Sequence, residues 1–246
     1  MGALTENCRG AWACAMWLAA TPLLNFRMIW QAKDKDEARG FMQAHVRKFF
    51  RRCQVDVVVD GAQPDITTGC VVCYNEASFI DVNAFCLAMW PYIDRGAAAD
   101  IYKYFPGGRG AFAKVGLEMV PRGRRAGVDK LLAKMVAKVK SGERVAWGGE
   151  GRIVGKDGVG RFKVGSSLIA IRAGVPIVPV AYFGGHHIMP FPSVRVKPGT
   201  VYVRFGEPIS TEGLREEDAR DLADRVQGIF TQMYEDLRAK SALQDG

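Results

Sequence analysis

Three absences in the sequence narrow the kind of protein that it encodes. A membrane-spanning helix needs roughly 20 apolar residues, and the N-terminal apolar run Ala11 to Leu24 is shorter and is interrupted by Thr21 and Pro22. No internal repeat or low-complexity linker divides the chain. The six cysteines do not form the paired clusters that hold a metal. We therefore expect one domain with no structural metal site.

The cysteine pattern also argues against disulfide bonds. Cys70 and Cys73 form a C-x-x-C pair, but residues three positions apart on a strand face opposite sides of a sheet. Such a pair suits neither a shared metal nor a disulfide. We expect buried free thiols in a reducing compartment.

Composition and charge favour a folded domain with anionic partners. Of the 246 residues, 48% are hydrophobic and 24% are charged, which are ordinary values for a globular domain. The formal net charge of +8 favours phosphate-bearing substrates, an anionic lipid surface or nucleic acid. Nucleic acid is disfavoured, because basic and aromatic residues interleave only at Tyr102-Lys103-Tyr104 and no recognition module is present.

Residues 1–33 are interpreted as an apolar, membrane-associating segment. Trp12 and Trp17 can lie at the level of lipid head groups, with Arg27 behind them. A cleaved signal peptide is disfavoured, because Glu6 and a single Arg9 make a poor positive leader. A helix that packs on the core is the alternative. Residues 34–246 are then a single α/β domain.

The chain is organised around the stretch from Val71 to Asp81. Residues 69–74 are predicted to form a buried strand, and a helical pattern follows with Ser78 at its N-cap and Asp81 three residues later. Glu76 lies between the predicted strand and the predicted helix, and its side chain can meet that of Asp81 only if Glu76 belongs to the turn. One interpretation is a capping box beside a solvated glutamate. The other is an acid/base pair of carboxylates at the carboxyl edge of a sheet.

The remaining pattern predicts an α/β fold, a single domain with a mostly parallel central sheet covered by helices. A continuous apolar strand at 175–183 is of the kind that is covered on both faces. Further elements are predicted as helices at 34–52, 128–139, 164–172 and 214–240, strands at 55–59 and 143–147, a glycine-rich loop at 101–110 and a hairpin at 194–205.

Two basic glycine turns and a histidine pair are further candidates. Arg122 begins a cluster of three arginines around a glycine, and Arg152 follows the glycines of residues 148–151. Either turn can grip an anion through guanidinium groups, or can be an ordinary solvated turn. His186 and His187 are candidate bases, but without a third ligand they make a weak metal site, so a surface loop is favoured.

The central stretch resembles the first motif of the glycerolipid acyltransferase family typified by 1-acylglycerol-3-phosphate acyltransferase. That motif is Asn-His-x-Ser-x-x-Asp, and the matching residues are Asn75, Glu76, Ser78 and Asp81. Glu76 therefore stands where the family has its catalytic histidine.

Three further blocks match the family in the right order. Residues 116–122 fit Gly-x-x-x-x-Asp-Arg with proline in place of aspartate, and residues 148–152 fit the Phe-Pro-Glu-Gly block at Glu150, Gly151 and Arg152. Residues 174–180, Gly-Val-Pro-Ile-Val-Pro-Val, match the fourth block almost completely. The similarity covers roughly residues 50–210.

The resemblance implies acyl transfer from acyl-CoA or acyl carrier protein to a lyso-phospholipid or related acceptor, without a cofactor or metal. It implies Glu76 as base and Asp81 as the residue that orients it. Arg122 and Arg152 would bind an anionic head group, Glu150 would act structurally in its loop, and Asn75, Ser78 and Gly151 would complete the substrate site. The implied location is the cytoplasmic face of a membrane, as a peripheral or monotopic protein. A non-catalytic homologue that binds lipid or acyl chains is the alternative.

Overall fold

One mostly parallel sheet forms the centre of the computed structural model, which describes residues 3–121, 123 and 125–244. The order of its strands is β1-β7-β6-β2-β5-β3-β4, and only the β6–β7 pair is antiparallel. This confirms the predicted α/β class. The strands are β1 (Val55–Asp60), β2 (Cys70–Tyr74), β3 (Arg95–Ala99), β4 (Leu117–Val120), β5 (Arg144–Gly148), β6 (Ile177–Phe183) and β7 (Gly199–Phe205).

Helices cover both faces of the sheet. They are α1 (Ala3–Phe26), α2 (Lys35–Cys53), α3 (Phe79–Ala88), α4 (Gly108–Lys114), α5 (Arg125–Lys140), α6 (Gly165–Ala173), the short α7 (Gly185–Ile188) and α8 (Ala219–Gln244). Helices α1 to α4 share one core with one face of the sheet, and α5, α6 and α8 share a second core with the other. β2 lies at the middle of the sheet, so its carboxyl end opens between the two layers.

The side chains of β2 alternate between these two cores. Cys70 and Cys73 belong to opposite cores, as the strand pattern predicts. All six cysteines are free thiols, which confirms that the C-x-x-C pair is not a disulfide.

The N-terminal apolar run forms a helix that is packed on one side only. Ala13, Leu24 and Met28 are buried in the core beside α2, and a π-helical turn (Arg27–Gln31) joins α1 to the rest of the chain. The opposite side of α1 carries large apolar side chains that are more than half exposed, such as Trp12 and Leu23. No helix in the described residues is long and apolar enough to cross a bilayer.

Two local predictions are wrong. Residues 194–198 are not a strand, so no hairpin forms around Lys197-Pro198-Gly199; β7 instead pairs with the distant β1 and, antiparallel, with the preceding strand β6. The predicted glycine-rich loop at 101–110 is largely helical, because a 3₁₀ turn (Asp100–Tyr104) leads into α4. Tyr102 stacks on Phe112 there, with ring centroids 4.7 Å apart, whereas Tyr104 is exposed.

Candidate active site

The turn between β2 and α3 is held by its own polar side chains. The Ser78 hydroxyl accepts a hydrogen bond from Ile80 N at 2.9 Å. Asp81 Oδ2 accepts from Ala77 N at 2.8 Å and Ser78 N at 2.9 Å. These bonds satisfy backbone donors that a helix start would otherwise leave unpaired. The predicted capping box is therefore present, and it holds a buried carboxylate at the N-terminus of α3.

Glu150 ties the third sequence block to the same turn. Its Oε2 accepts from Glu76 N and its Oε1 from Gly160 N, each at 3.1 Å. Val154 N donates to Glu76 O at 2.9 Å, so the loop after β5 wraps around the turn. Glu150 thus acts structurally in its loop, and the turn brings Glu76, Asp81 and Glu150 together.

All three carboxyl groups hold their protons more tightly than usual. Burial, then the charges of Glu150 and Asp81, raise the pKa of Glu76 to about 8. Burial raises the pKa of Asp81 to about 6 against the opposing effect of its two backbone hydrogen bonds, and burial raises the pKa of Glu150 to about 7. Part of Glu76 still reaches the surface, whereas Asp81 and Glu150 are almost fully buried. Glu76 is therefore the accessible member of the group and the last of the three to ionise.

Asn75 clamps the end of β2 to β6. Its Oδ1 accepts from Tyr182 N at 2.8 Å and its Nδ2 donates to Tyr182 O at 3.0 Å. The side chain is fully buried, so its hydrogen-bonding groups are occupied by the neighbouring strand. Asn75 therefore fixes where Tyr182 stands relative to the turn.

Tyr182 belongs to the site, although the sequence analysis did not select it. It is 1% exposed, its hydroxyl has no hydrogen-bond partner within the described residues, and its pKa is raised well above the ordinary value by burial and by the charge of Asp81. Alternation along β6 could have identified it, since it shares a core with Val178 and Val180. Tyr74, at the end of β2, faces the same core, with its ring centroid 6.5 Å from that of Tyr182.

Gly185 lies directly against Asp81. A Cβ atom added to this glycine would stand 1.9 Å from Asp81 Oδ1, a distance that no real contact allows. Asp81 Oδ1 is itself buried and accepts no hydrogen bond from the part of the chain that the structure describes. One oxygen of Asp81 thus holds the turn, and the other is left without a donor.

The basic residues predicted to bind anions are only partly described. Arg152 is exposed on the loop that wraps the turn, two residues before Val154, and Gly151 beside it has a φ of +66°. Lys163, which the sequence analysis did not select, reaches this glycine: its Nζ lies 3.3 Å from the place of a Cβ on Gly151. Arg122 lies outside the described residues.

Of the histidine pair, only His187 has a hydrogen-bond partner among the described residues. His187 Nε2 lies 3.1 Å from Asp157 Oδ1, which also accepts a hydrogen bond from Tyr234 at 2.6 Å. His186 is half-buried, and its Nδ1 has no partner among the described atoms. Across all the residues that the structure describes, no group of three His, Cys, Asp or Glu side chains is arranged to hold a metal ion.

Comparisons with known proteins agree with the four sequence blocks. The family model "Acyltransferase" matches residues 25–183. The 1-acyl-sn-glycerol-3-phosphate acyltransferase alpha of Ovis aries and that of Bos taurus are each 33% identical over 76 residues, which is 31% of this chain and 26% of each relative. The match thus spans about a quarter of these relatives' length.

A solved structure has the same fold. The crystal structure of the 1-acyl-sn-glycerophosphate acyltransferase PlsC from Thermotoga maritima is similar with a TM-score of 0.72 and 22% identity, over 96% of each chain. At 22% sequence identity, this similarity shows a shared fold only. Since the family model covers well over half of the sequence and includes all of the turn around Glu76, the chain belongs to the acyltransferase family.

Proposed function

We propose that this protein transfers a fatty acyl group from an acyl thioester to a lyso-phospholipid or a related acceptor, with Glu76 as the base. The observation that carries the proposal is the position of Glu76, a half-buried residue in a turn built by Asp81 and Glu150. Its pKa of about 8 is suited to proton transfer near neutral pH. Membership of the acyltransferase family supports the reaction class.

In the proposed reaction, Glu76 transfers the proton and Asp81 positions the turn. The ionised carboxylate of Glu76 takes a proton from the acceptor as that group attacks the thioester carbonyl carbon. The carbon–sulfur bond then breaks, and the thiol leaves with a proton. Asp81 cannot orient Glu76 as it would a histidine, because a carboxylate has no ring N–H to donate. It acts as a positioning residue, which holds the turn and keeps the pKa of Glu76 high.

Acceptor and donor are proposed to be held through their charges. Arg152 is exposed beside the turn, and with Lys163 it offers two cations to an anionic head group. Arg122 is assigned the same role through its sequence block alone. The donor is acyl-CoA or acyl carrier protein, both of which are anionic and suit the net charge of +8. A thioester is already activated, so the proposed chemistry needs no cofactor or metal.

The exposed side of α1 is proposed to rest on the cytoplasmic face of a membrane, which would make the protein peripheral or monotopic. At 100° per residue its exposed apolar side chains fall within an arc of about 140°. Tryptophan and phenylalanine among them suit the interfacial region of a bilayer. Five large side chains on this side are at least half exposed: Leu4, Trp12, Leu18, Leu23 and Phe26.

The reaction is tested by thiol release from acyl-CoA and from acyl carrier protein in the presence of lyso-phospholipid. The native chain is expected to release thiol only when acceptor is present, and Glu76→Gln to lose about 100-fold or more of that rate. Glu217→Gln, an exposed glutamate paired with Arg215, is the matched control and should keep the native rate. Lipid binding by the native chain without any release would instead favour the non-catalytic homologue.

A further inference from the structure

The turn around Glu76 brings three carboxyl groups together, and the pKa of each is raised. The charged side chains that raise the pKa of Glu76 are Glu150 and Asp81, and no lysine or arginine of the described residues is among the main causes of the pKa shifts of the three groups. Buried carboxylates are normally paired with a cation or bound to a metal. A positively charged ligand would therefore be favoured at this turn.

Two buried polar groups in this cluster also lack partners. Asp81 Oδ1 accepts no hydrogen bond, and the Tyr182 hydroxyl makes none within the described residues. Asp81 is 2% exposed and Tyr182 is 1% exposed, so bulk solvent does not reach them. The two residues meet at the same end of the sheet, because Gly185, three residues after Tyr182, lies directly against Asp81 Oδ1. Each can accept a hydrogen from a ligand.

Two tyrosine rings lie beside the turn. Tyr74 is two residues before Glu76, and Asn75, between them, bonds to the backbone of Tyr182. The rings of Tyr74 and Tyr182 meet edge to face, at an interplanar angle of 71°. Tyrosine rings beside a carboxylate form a site that attracts alkylammonium ions.

The number of hydrogen-bond donors distinguishes an alcohol acceptor from an amine acceptor at this turn. An alcohol has one hydroxyl hydrogen, which must point to the base Glu76; the Tyr182 hydroxyl can then donate to the alcohol oxygen, but Asp81 Oδ1 is left without a donor. A primary ammonium group has three N–H donors, one for each of the three acceptors. In a histidine-bearing site the imidazole N–H would serve Asp81, but here the ligand must supply that donor.

We propose that the acceptor presents a primary amine to Glu76, Asp81 and Tyr182, so that the enzyme forms an amide rather than an ester. This inference rests on the proposed acyl transfer and names the acceptor's reacting group. The bound ammonium gives one proton to the Glu76 carboxylate. The free amine then attacks the thioester carbonyl carbon, the C–N bond forms and the C–S bond breaks. The second amine proton goes to the leaving thiolate, so amide and free thiol are the products.

Matched acceptors test the proposal. The first pair is an ether-linked lysophosphatidate and its analogue with an amino group in place of the free hydroxyl. The second pair is dodecanol and dodecylamine. Thiol release is measured with acyl-CoA and acyl carrier protein, and products are identified by mass and by resistance to mild alkaline methanolysis, which cleaves esters only. We expect kcat/KM for the amine to exceed that for the alcohol by about tenfold or more in at least one pair.

The outcomes separate this inference from the proposed function. Ester formation with equal or better kcat/KM for the alcohol would overturn the amine assignment and leave acyl transfer standing. No thiol release with any acceptor would overturn both. An amine preference that Glu76→His reverses would support the assignment, because an imidazole would supply the donor to Asp81 Oδ1 and remove one negative charge.

Tyr182→Phe tests the buried hydroxyl separately. We expect it to lower kcat/KM for the amine by about three- to tenfold while changing the value for the alcohol less. Tyr92→Phe is the matched control, because Tyr92 is equally buried and its hydroxyl bonds to Pro64 O at 2.8 Å outside the turn. It should leave the ratio of the two values unchanged. An unchanged ratio in Tyr182→Phe would remove Tyr182 from the site.

Discussion

Glu76, the proposed base, lies in an electrostatic environment that differs from that of an ordinary glutamate. An ordinary glutamate has a pKa near 4.3 and is a weak base at neutral pH. In this turn, burial and two neighbouring carboxylates raise the pKa of Glu76 to about 8. Asp81 and Glu150, which hold the turn through backbone amides, thus also turn a weak base into a stronger one.

The contact between Gly185 and Asp81 gives a prediction for a single residue. In Gly185→Ala, the new Cβ would stand 1.9 Å from Asp81 Oδ1, so the carboxylate or α7 must move. We expect a loss of about 1–3 kcal/mol in the free energy of unfolding and a large loss of thiol release. Chemical denaturation and the thiol assay measure the two effects.

Gly228→Ala is the control for that substitution. Gly228 lies exposed within α8 with no atom near the place of a Cβ, so alanine should stabilise the helix by about 0.5–1 kcal/mol without changing the rate. Full activity in Gly185→Ala would contradict the close packing of Asp81.

The sequence predicts those site residues whose contacts are local. Ser78 and Asp81 could be identified because a capping box is defined by residues three positions apart. Alternation along β6 indicates which core Tyr182 faces, but neither its place nor that of Gly185 beside the turn could be predicted, since each meets the turn across more than 100 residues of chain. Their roles depend on which strands become neighbours in the sheet, and that is decided by the whole core.

At the scale of elements, the start of helix α3 positions the polar side chains of the site. Its start carries Ser78 and Asp81, and its apolar residues Ile80, Ala84 and Phe85 anchor it in the core. The positive end of the helix dipole then lies beside the carboxylates. A change at the cap should therefore affect both folding and chemistry.

Ser78→Ala tests this coupling. Removing the hydroxyl that accepts from Ile80 N should cost about 0.5–2 kcal/mol of stability and lower thiol release. Asp34→Ala removes the equivalent N-cap of α2, whose Oδ1 accepts from Glu37 N at 2.8 Å, and should cost similar stability with little loss of rate. Equal effects of both variants on the rate would show that the cap of α3 has only a structural role.

Elements with strong periodicity were predicted well, and those that depend on distant pairing were not. Helix α2 and strand β6 carry their own pattern, and both are present near the predicted bounds. Strand β3 is short and rich in glycine and alanine, so its sequence gives little signal; its pairing with β4 and β5 makes it a strand. The turn-like residues 197–199 favoured a hairpin, but β7 finds its partners elsewhere in the chain.

At the scale of the whole molecule, helix α1 packs one side on the core and leaves apolar side chains exposed on its opposite side. The exposed tryptophan, leucine and phenylalanine side chains make this the proposed contact with lipid. The net charge of +8 adds an attraction to anionic head groups. Membrane contact through one side of a helix would bring lipid substrates to the protein without a spanning segment.

Replacing Trp12, Leu23 and Phe26 together by serine should lower binding to anionic phosphatidylglycerol vesicles by about tenfold or more in a flotation assay. A control variant replaces three other exposed apolar side chains, Val58, Phe191 and Val194, and should bind as the native chain does. Equal binding by both variants would contradict the assignment of α1 as the lipid contact.

The most direct test of the account is the pH dependence of kcat/KM for thiol release, with one acceptor, in the native chain and in Glu76→His. A base works only when it is deprotonated, so the native rate should rise with pH and level off above the Glu76 pKa of about 8. Glu76→His should level off at lower pH, near the ordinary histidine pKa of about 6.5. Using the same acceptor for both removes its own titration from the comparison. A native profile that levels off below pH 7 and is unchanged by Glu76→His would show that Glu76 is not the base.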